Sequence, residues 1–514
     1  GTVSAEANAI KLAWWMKTTY GSTMIQCLKT VLPVKKEMRQ LEKRTVKRIA
    51  GKEEILFEKN EAVRKHQPAK ARLLAELLEM EELTYELVTG KLNVTSSTIK
   101  SLERQSLIKI HTQSYYRNPV KEEDTQTEKK ILSRKQQEIV DEVLSDYDNS
   151  HTGTYLIHGI TGSGKTEVYM EMIEGMVQRQ KASIVLIPEI ALTYQTLKRF
   201  YNRFGNRVSV MNSTLSNGEK YDQFERAKKG EIDVIIGPRS ALFTPFKEIG
   251  LIIIDEEHEN SYKSDNMPKY HARETAIELA KMHGASVVLG SATPSMEAYY
   301  RAKKGEYKLF TLNERLTGKT LPTVYTVDLR EELRQGNRSI FSVKLKELME
   351  ERLEKKQQIM LFLNRRGYAG FVSCRACGYV MKCPHCDVSL TDHRNGKLIC
   401  HYCGYERNHV NLCPQCGSKY ILGFRAGTQQ IEEVLQKQFQ TARILRMDAD
   451  TTKRKEDYER ILSAFANEEA DILVGTQMIV KGHDFKKVTL MGILAADLSL
   501  SSNDYRAAER TFQL

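Results

Sequence analysis

A glycine-rich segment in the first third of the chain has the spacing of a phosphate-binding loop. The pattern G-x-x-x-x-G-K-T runs from Gly159 to Thr166, directly after the β-branched run TYLIHGI. In such a loop, glycines (here Gly159, Gly162 and Gly164) let backbone N–H groups surround the phosphates at the start of the next helix. Lys165 would neutralise the β- and γ-phosphates, and the Thr166 hydroxyl would bind Mg²⁺. The segment predicts an ATP–Mg²⁺ site; an ordinary glycine-rich turn is the alternative.

An apolar run that ends in acidic residues supplies the expected partner of this loop. The segment LIIIDEEHE places Asp255 at the end of a predicted strand, where its carboxylate can help to hold Mg²⁺. Glu256, the next residue, is placed to polarise an attacking water molecule. A solvated acidic turn is the alternative, and the abrupt change from four apolar residues to DEEH argues against it. The two segments together predict nucleotide hydrolysis.

The cysteines have the spacing of metal ligands. Eight of the nine cysteines fall in one short window, as four C-x-x-C pairs: Cys374 and Cys377, Cys383 and Cys386, Cys400 and Cys403, and Cys413 and Cys416. Each pair can give two thiolates to a tetrahedral zinc ion, so eight ligands predict two Cys₄ sites with a structural role. Disulfides and an iron–sulfur cluster are the alternatives. Spacing alone does not show which pairs share a metal.

Two sets of β-branched runs must position these residues. The first set lies before the cysteines and consists of TYLIHGI, SIVLIPE, IDVIIGP, LIIIDEE and SVVLGSA; the second set consists of IMLFLN, ARILRMDA, DILVGTQ and LMGILAAD. Runs of this kind, alternating with helical segments, are typical of parallel sheets buried on both faces. The sequence therefore predicts an α/β protein with two parallel-sheet lobes, and the cysteine block interrupts the second lobe.

The segment before the first lobe has a different pattern. Residues 37–80 show helical periodicity with a break at Pro68. ARLLAELLEM and LTYELVTGKL then predict two helices, VTSSTIKSLERQSLI a third with Thr95 or Ser96 as its N-cap, and IKIHTQSYYRNP a strand. This order predicts a winged-helix domain, and a helical bundle with a trailing strand is the alternative. Its cationic residues Lys100, Arg104 and Arg117 could contact phosphates.

Composition and charge narrow the class of partner. The 514 residues include 78 Lys and Arg against 66 Asp and Glu, a net charge of +12, which favours nucleic acid as partner over the alternative of ordinary solubility charge. No stretch reaches the roughly 18 apolar residues of a membrane-spanning helix, and the first residues lack the pattern of a signal peptide. These observations predict a soluble, cytoplasmic protein with no membrane partner.

Several of these segments resemble the motifs of superfamily 2 helicases. DEEH and the downstream GSATPS resemble motifs II and III, which implies that His258 couples the ATP site to DNA contacts through the segment containing Ser291 and Thr293. LSRKQQ resembles the adenine-reading segment, with Gln136 as the reader. VLIPEIALTYQT, GPRSALFTP and GTQMIVKGHDF resemble segments that grip the DNA backbone; the residues implied are Thr193, Arg239, Ser240, Thr476, Lys481 and Gly482.

The cysteine block makes the resemblance more specific. NRRGYAGFVSCRACGYVMKCPHCDVSLTDHR, followed by HYCGY and CPQCGS, resembles the PriA (primosomal protein N′) family over essentially the whole chain. The resemblance implies RecA-like lobes and nested zinc ligation, with Cys374, Cys377, Cys413 and Cys416 on one ion and Cys383, Cys386, Cys400 and Cys403 on the other. It also implies a monomeric 3′→5′ DNA helicase that recognises stalled or branched forks in the bacterial nucleoid and initiates primosome assembly.

The same resemblance implies which molecules the protein binds, and other functions remain as alternatives. The partners would be branched and single-stranded DNA, single-strand-binding protein and the proteins that load the replicative helicase. A fork-binding scaffold whose ATP site only gates assembly is the alternative, and another superfamily 2 motor is a third. The loop of residues 261–276 resembles the family's aromatic-rich loop; Tyr262, Tyr270, His271 and Arg273 could stack on unpaired bases or bind phosphates, and ordinary packing beneath the lobe is the alternative.

The resemblance also predicts domain boundaries. They are a tail of an N-terminal DNA-binding domain at 1–36, a winged-helix domain with a leading helical segment at 37–120, a linker at 121–130, lobe 1 at 131–322, lobe 2 at 323–373 and 417–514, and the zinc block at 374–416. Most of the family's N-terminal domain, its motif VI and its C-terminal domain have no counterpart in the chain. We therefore expect a fragment that binds ATP–Mg²⁺ and hydrolyses it very slowly, because Arg506 and Arg510 only lead toward motif VI.

Overall fold

The computed structural model describes most of the chain. The described residues are 2–32, 41–115, 131–189, 194–213, 215–316, 322–363, 371–393, 396–423, 427–448, 450–452, 455–476, 479, 485–501 and 504–513. The predicted linker at 121–130 lies outside them. No helix in these ranges is long and apolar enough to cross a membrane.

The first part of the chain contains two helices followed by a small mixed domain. Its helices and strands are α1 (Thr2–Tyr20), α2 (Met24–Val31), β1 (Leu41–Arg48), α3 (Lys52–Arg64), α4 (Pro68–Glu79), β2 (Glu82–Thr84), α5 (Ser96–Arg104) and β3 (Ile108–Tyr115). Helix α1 buries Leu12, Ala13 and Met16 in the core of the first lobe described below. The assignment of residues 1–36 to the tail of another domain stays a prediction.

The small domain follows the predicted order of elements with two corrections. The described strands pair antiparallel in the order β2-β1-β3, so the helical interpretation of 37–80 is wrong for Leu41–Arg48. Pairing with β3 along all eight residues of β1 overrides the local helical periodicity. LTYELVTGKL forms the end of β2 and a π-helical turn at Leu87–Lys91 instead of an α-helix.

Other predictions for this domain are confirmed. The side chain of Thr95 caps α5 by accepting a hydrogen bond from the backbone of Thr98, and Pro68 begins α4 after the break that follows α3. The three helices and the antiparallel sheet are the elements that a winged helix needs. The winged-helix assignment and the phosphate contacts of Lys100 and Arg104 stay predictions, and Arg117 lies outside the described residues.

Lobe 1 is built on a parallel sheet. Its elements are α6 (Arg134–Asp148), β4 (Thr154–Gly159), α7 (Lys165–Gln178), β5 (Ala182–Leu186), α8 (Tyr194–Phe204), β6 (Val208–Val210), α9 (Asn217–Lys229), β7 (Val234–Gly237), β8 (Ile249–Asp255), α10 (Ala272–His283), β9 (Ser286–Ser291), α11 (Met296–Lys303) and β10 (Lys308–Leu312). The described strands form a seven-stranded sheet in the order β10-β4-β9-β8-β5-β7-β6. All five predicted strands are present, which confirms the α/β prediction.

The residues of β8 show why the central strands have continuous apolar sequences. Ile252 and Ile254 belong to a core on one face of the sheet, and Leu251 and Ile253 belong to a core on the other face. Because helices cover both faces, every position of a central strand must be apolar. The polar residues of β8 therefore begin only at Asp255, where the strand reaches the edge of the sheet.

Lobe 2 has a smaller parallel sheet with the cysteine block inserted. Its elements are α12 (Leu329–Arg334), α13 (Val343–Glu354), β11 (Gln358–Leu363), the block strands β12 (Val372–Cys374), β13 (Thr391–Asp392), β14 (Lys397–Ile399), β15 (Glu406–Asn408) and β16 (Ile421–Gly423), and then α14 (Thr428–Gln438), β17 (Ile444–Met447), α15 (Lys455–Ala466), β18 (Ile472–Gly475), β19 (Val488–Leu494) and α16 (Ala507–Gln513). The described strands of the lobe pair parallel in the order β17-β18-β11-β19. The four predicted strands of this lobe are confirmed.

Candidate functional site

The glycine-rich loop lies between β4 and α7, as predicted. Strand β4 ends at Gly159 and helix α7 begins at Lys165, so the loop presents the helix N-terminus at the carboxyl edge of the sheet. The Lys165 ammonium donates a hydrogen bond to the Gly159 carbonyl at 2.6 Å, which holds it across the loop. A Cβ atom at Gly164 would clash with the side-chain amide of Gln136, so only glycine fits there. Thr166 follows Lys165 in the first turn of α7 and is half-buried.

Asp255 lies at the same edge of the sheet and is held by the helix that follows the loop. The Tyr169 hydroxyl of α7 donates a hydrogen bond to Asp255 Oδ1 at 3.1 Å. Burial, and then the negative charge of Asp255, raise the pKa of Tyr169 well above its usual value, so the phenol stays a donor. Strands β4 and β8 flank β9, so their carboxyl ends deliver the loop and Asp255 to one side of the lobe. This arrangement fits a phosphate and cation site, at which Thr166 and Asp255 are the predicted Mg²⁺ ligands.

Glu256 and His258 follow in a tight turn. Glu256 has a φ of 48°, a left-handed conformation that is uncommon for a residue with a side chain. Its carboxylate lies 3.6 Å from His258 Nδ1, and the same nitrogen lies 2.7 Å from the Ser291 hydroxyl. That hydroxyl also accepts a hydrogen bond from the backbone N–H of Thr293 at 3.0 Å. The structure thus brings the predicted residues of DEEH and GSATPS together.

The sequence interpretation missed Glu257, the third residue of DEEH. Its side chain is buried and accepts hydrogen bonds from the Ser295 backbone at 2.5 Å, the Ser295 hydroxyl at 3.0 Å and the Arg273 guanidinium at 3.2 Å. Burial raises the pKa of the Glu257 carboxyl, and the opposing charge of Arg273 limits the rise. Ser295 also caps α11, so Glu257 fixes the start of that helix. The position of Glu257 between Glu256 and His258 gives no sign of such a role in the sequence.

The side chain of Gln136 contacts the phosphate loop. Its Nε2 donates to the Ser163 carbonyl at 2.8 Å, and its Oε1 accepts from the Ser133 backbone N–H at 2.8 Å. The side chain is buried, and both ends of the amide bind protein backbone. In this structure Gln136 therefore ties α6 to the phosphate loop and does not present its amide to a base. The adenine-reading role of Gln136 stays a prediction.

The loop between β8 and α10 also differs from its prediction. Tyr262, Tyr270 and Arg273 are buried, so the two rings cannot stack on bases and the guanidinium cannot bind phosphate in this conformation. Their burial fits the alternative, packing beneath the lobe, and a role of this loop in DNA contact stays a prediction. His271 Nδ1 accepts a hydrogen bond from the Arg273 backbone and caps α10. The loop contacts the backbone of the candidate site, because the Tyr262 hydroxyl lies 2.7 Å from the Asp255 carbonyl.

The predicted DNA contacts are only partly described. Arg239 donates from Nη1 to the carbonyls of Ser261 and Lys263, at 2.9 and 2.7 Å, so it supports the loop between β8 and α10. Ser240 beside it is exposed, and Thr476 follows β18 and is half-buried. Thr193, Lys481 and Gly482 lie outside the described residues. The DNA-contact roles stay predictions.

Lobe 2 meets lobe 1 beside the GSATPS segment. The Arg506 guanidinium pairs with both carboxylate oxygens of Glu297, and Glu509 accepts a hydrogen bond from the Met296 backbone at 2.9 Å. Among the described residues, this contact therefore connects α16 to the first turn of α11. The same turn is fixed from the other side by Glu257.

The cysteines form two groups, in the predicted nested pairing. Each group places four sulfur atoms within 4.8 Å of one another: Cys374, Cys377, Cys413 and Cys416 in one, and Cys383, Cys386, Cys400 and Cys403 in the other. The sulfurs of Cys374 and Cys416 lie 3.6 Å apart, and those of Cys377 and Cys413 lie 3.7 Å apart. A tetrahedron with Zn–S bonds of about 2.3 Å has sulfur–sulfur edges of about 3.8 Å. Both groups fit zinc.

Each C-x-x-C pair ends in the same backbone turn. The residue after its second cysteine has a positive φ, and its N–H donates to the carbonyl of the first cysteine; the four residues are Gly378, Asp387, Gly404 and Gly417. This left-handed turn points both thiolates to one side, which glycine permits most easily. Desolvation opposes ionisation of Cys400, but N–H groups of Cys403 and Tyr402 lower its thiol pKa to about 7. At this position the backbone N–H groups therefore favour the thiolate, which is the form that binds a metal.

The block is fixed to lobe 2 at its base. Strands β12 and β16 pair antiparallel, so the block enters and leaves the lobe at one place. The guanidinium of Arg375 donates to the carbonyls of Arg338 and Ser339 at 2.8 and 2.6 Å. Arg375 stands between two ligands of the first cysteine group, so that group is joined to the loop before α13.

Three family models match separate parts of the chain, and solved structures resemble about 70% of it at low identity. Family models described as the res subunit of type III restriction enzymes, the Cys-rich region of PriA DNA helicase, and the helicase conserved C-terminal domain match residues 129–296, 383–407 and 413–513. RecG bound to a three-way DNA junction is 17% identical with a TM-score of 0.41, over 70% of this chain and 38% of that chain. The Hef helicase domain of Pyrococcus furiosus is 14% identical with a TM-score of 0.37, over 69% and 88%.

Three relatives share the name replication restart protein PriA. The protein of Bacillus subtilis is 50% identical over 82% of this chain and 53% of its own length, and that of Synechocystis is 43% identical over 82% and 51%. The chain thus spans about half the length of these two relatives. The protein of Chlamydia pneumoniae is 38% identical over 98% of this chain and 68% of its own length. The chain, with its paired α/β lobes and two Cys₄ zinc groups, belongs to the PriA family of replication restart proteins.

Proposed function

We propose that this chain is the motor part of an ATP-dependent 3′→5′ DNA helicase that recognises stalled or branched replication forks and initiates primosome assembly. The observation that carries the proposal is the meeting of the phosphate loop with Asp255 at one edge of lobe 1. Its specificity comes from the PriA relatives and from the zinc block inside lobe 2. The net charge of +12 suits a polyanionic partner.

Each candidate residue of lobe 1 would have its own role in ATP hydrolysis. Lys165 would leave the Gly159 carbonyl to neutralise phosphate charge, and Thr166 and Asp255 would hold Mg²⁺. Glu256 would orient the attacking water and take its proton. ATP, when bound, supplies the phosphoryl group that is transferred to water. No covalent step on the protein is required, because phosphoryl transfer needs mainly positioning and charge stabilisation.

Motion would pass from this site to lobe 2 through described contacts. His258 reaches Ser291, and Glu257 holds Ser295 at the start of α11. Glu297 in the same helix turn pairs with Arg506 of lobe 2. We propose Arg239, Ser240, Thr293 and Thr476 as DNA contacts or their supports, together with Thr193, Lys481 and Gly482, which lie outside the described residues.

The biological setting is part of the same proposal. Single-strand-binding protein and the proteins that load the replicative helicase are the proposed partners, and a monomer in the bacterial cytoplasm, at nucleoid-associated forks, is the proposed active form. The two zinc groups would serve as rigid supports for such contacts, since closed Cys₄ sites offer no catalytic position.

The proposal is tested on the intact gene product with forked DNA. ATP turnover should rise when forked DNA is added, and strand displacement should occur from substrates with a 3′ single-stranded tail but not from substrates with a 5′ tail. If ATP instead promotes loading of partner proteins onto the fork without displacing a strand, the protein is an assembly scaffold. If DNA does not change turnover, the motor assignment is wrong.

A further inference from the structure

Helix α1 touches the loop between β8 and α10 through one tyrosine. The hydroxyl of Tyr20 accepts a hydrogen bond from the backbone N–H of His271 at 3.3 Å. The ammonium of Lys263 lies 5.2 Å from the centre of the Tyr20 ring, within the range of a cation–π contact. Trp15 packs edge-on against the same ring at 5.8 Å between centroids. One side chain from the start of the chain therefore contacts both ends of a loop more than 240 residues away.

Tyr20 is held in place by the lobe on which its helix packs. Leu12, Ala13 and Met16 share a buried core with residues of α10 and of the central sheet. The helix ends at Tyr20, the following Gly21 turns the chain with a φ of 60°, and the Ser22 N–H donates back to the Lys17 carbonyl at 3.2 Å. The C-terminal end of α1 is thus a fixed support.

The loop that Tyr20 contacts reaches the nucleotide site by a short path. Lys263 and His271 face each other as an antiparallel bridge, which closes the loop into a hairpin. Tyr262, the residue before Lys263, places its hydroxyl 2.7 Å from the Asp255 carbonyl and 3.0 Å from the Leu186 carbonyl. Because Tyr262 is fully buried, a shift of the hairpin moves this hydroxyl and with it the backbone of Asp255.

We propose that Tyr20 is a positioning residue for the nucleotide site, through which helix α1 holds the hairpin of residues 261–271 in the register that Asp255 requires. The inference rests on the proposed function, because it assigns to Tyr20 a part in the stimulation of ATP turnover by DNA. Tyr20 touches neither nucleotide nor DNA in this proposal. Its effect is therefore expected on the coupling between the two and not on the affinity for DNA.

The test compares ATP turnover with and without forked DNA in the intact gene product. Tyr20→Leu removes the hydroxyl and the ring, and Tyr20→Phe keeps the ring contacts to Lys263 and Trp15. We expect the affinity for forked DNA to stay unchanged, and the stimulation of ATP turnover by DNA to fall about 5-fold or more in Tyr20→Leu, as for loss of at least one hydrogen bond. Tyr20→Phe should fall between the wild type and Tyr20→Leu.

A matched control is Tyr300→Leu, which removes an exposed tyrosine that makes a similar contact with Lys304 on α11. It should leave the stimulation unchanged. Stimulation of wild-type size in Tyr20→Leu, or an equal loss in Tyr300→Leu, would overturn the inference while the proposed function stands. Failure of DNA to stimulate the wild-type protein would overturn the proposed function and the inference with it, so the two failures are distinguishable.

Discussion

The Nδ1 atom of His258 and the hydroxyl oxygen of Ser291 lie 2.7 Å apart, which joins the turn after β8 to the end of β9. Ser291 in turn accepts from the Thr293 backbone, and the next turn begins α11, whose Glu297 pairs with Arg506 of lobe 2. A change in the position of His258 therefore has a continuous packed path toward the second lobe. The coupling role that the helicase resemblance implied for His258 stays a prediction, and this path is the route that we propose for it.

Substitution of Lys165, the lysine of the phosphate loop, should lower ATP turnover. In the intact gene product, we expect Lys165→Ala to lower ATP turnover at least ~100-fold, because charge stabilisation of the transferred phosphoryl group is lost. Glu256→Gln should bind ATP normally and lose turnover to a similar extent. The control is Lys181→Ala, which removes a lysine of the same lobe that pairs with Glu248. Turnover near the wild-type rate in Lys165→Ala would contradict the site assignment.

The number of zinc ions per chain should show whether each of the two cysteine groups binds one ion. Elemental analysis is expected to find about two zinc ions per chain, and about one after Cys400→Ser removes a ligand of the second group. Cys27→Ala provides the matched control, because Cys27 is a buried thiol of α2 outside both groups. It should keep both ions. Iron in place of zinc, or two zinc ions retained in Cys400→Ser, would refute the assignment.

The stability of lobe 1 should depend on pH through His271. Burial, and then the charge of Arg273, lower the pKa of His271 to about 4, below its usual 6.5. The unfolded chain then binds the proton more readily than the folded chain between these values, so the free energy of unfolding falls as pH drops from 6.5 to 4. About 2 kcal/mol of it should be lost by pH 5.

His271→Asn provides the comparison, because asparagine can still cap α10 and does not titrate in this range. Urea unfolding at pH 7 and pH 5, followed by fluorescence, reports this lobe, since both tryptophans of the chain, Trp14 and Trp15, lie on α1. The pH-dependent loss should be smaller in His271→Asn by that amount. An equal loss in the two proteins would show that His271 is not the titrating group.

DNA binding should depend on charge in the small domain after α2. Lys100 and Arg104 are exposed on α5, and Lys100→Gln with Arg104→Gln should weaken binding to forked DNA and reduce the slope of log affinity against log salt by about 1–2. Truncation of this region is less informative, because it would remove α1 and expose the core under Leu12 and Met16.

A control with the same loss of charge is available on α3 and just after it. Arg64 and Lys65 are exposed and both pair with Glu61, so Arg64→Gln with Lys65→Gln should change the salt slope less. Equal slopes for the two double variants would show that α5 has no special part in DNA binding.

The sequence was sufficient to predict those parts of the candidate site whose residues lie close together in the chain. The phosphate loop, the DEEH turn and the C-x-x-C turns each place their chemistry within about ten residues, so local backbone geometry fixes them. The strands of both lobes were predicted for a similar reason, because burial on both faces requires an uninterrupted apolar run.

The sequence was insufficient to predict the contacts of a residue whose partner lies far away in the chain. Tyr262 looked suited to base stacking, yet its hydroxyl meets backbone carbonyls of two strands and its ring is buried. Gln136 was assigned to a base, but it bonds the backbone of Ser163 in the loop that follows the next strand. Strand β1 was taken for helix because its partner β3 lies some 60 residues further on. Periodicity and motif spacing carry no signal for such partners.

The central claim is that ATP hydrolysis in lobe 1 drives the separation of forked DNA strands. The most direct measurement is strand displacement from a fork with a 3′ tail by the intact gene product, with saturating ATP, beside the Glu256→Gln variant. The account predicts ATP-dependent displacement by the wild-type protein and none by Glu256→Gln, although both bind the fork and ATP. Displacement by Glu256→Gln at the wild-type rate, or none by the wild-type protein, would contradict it.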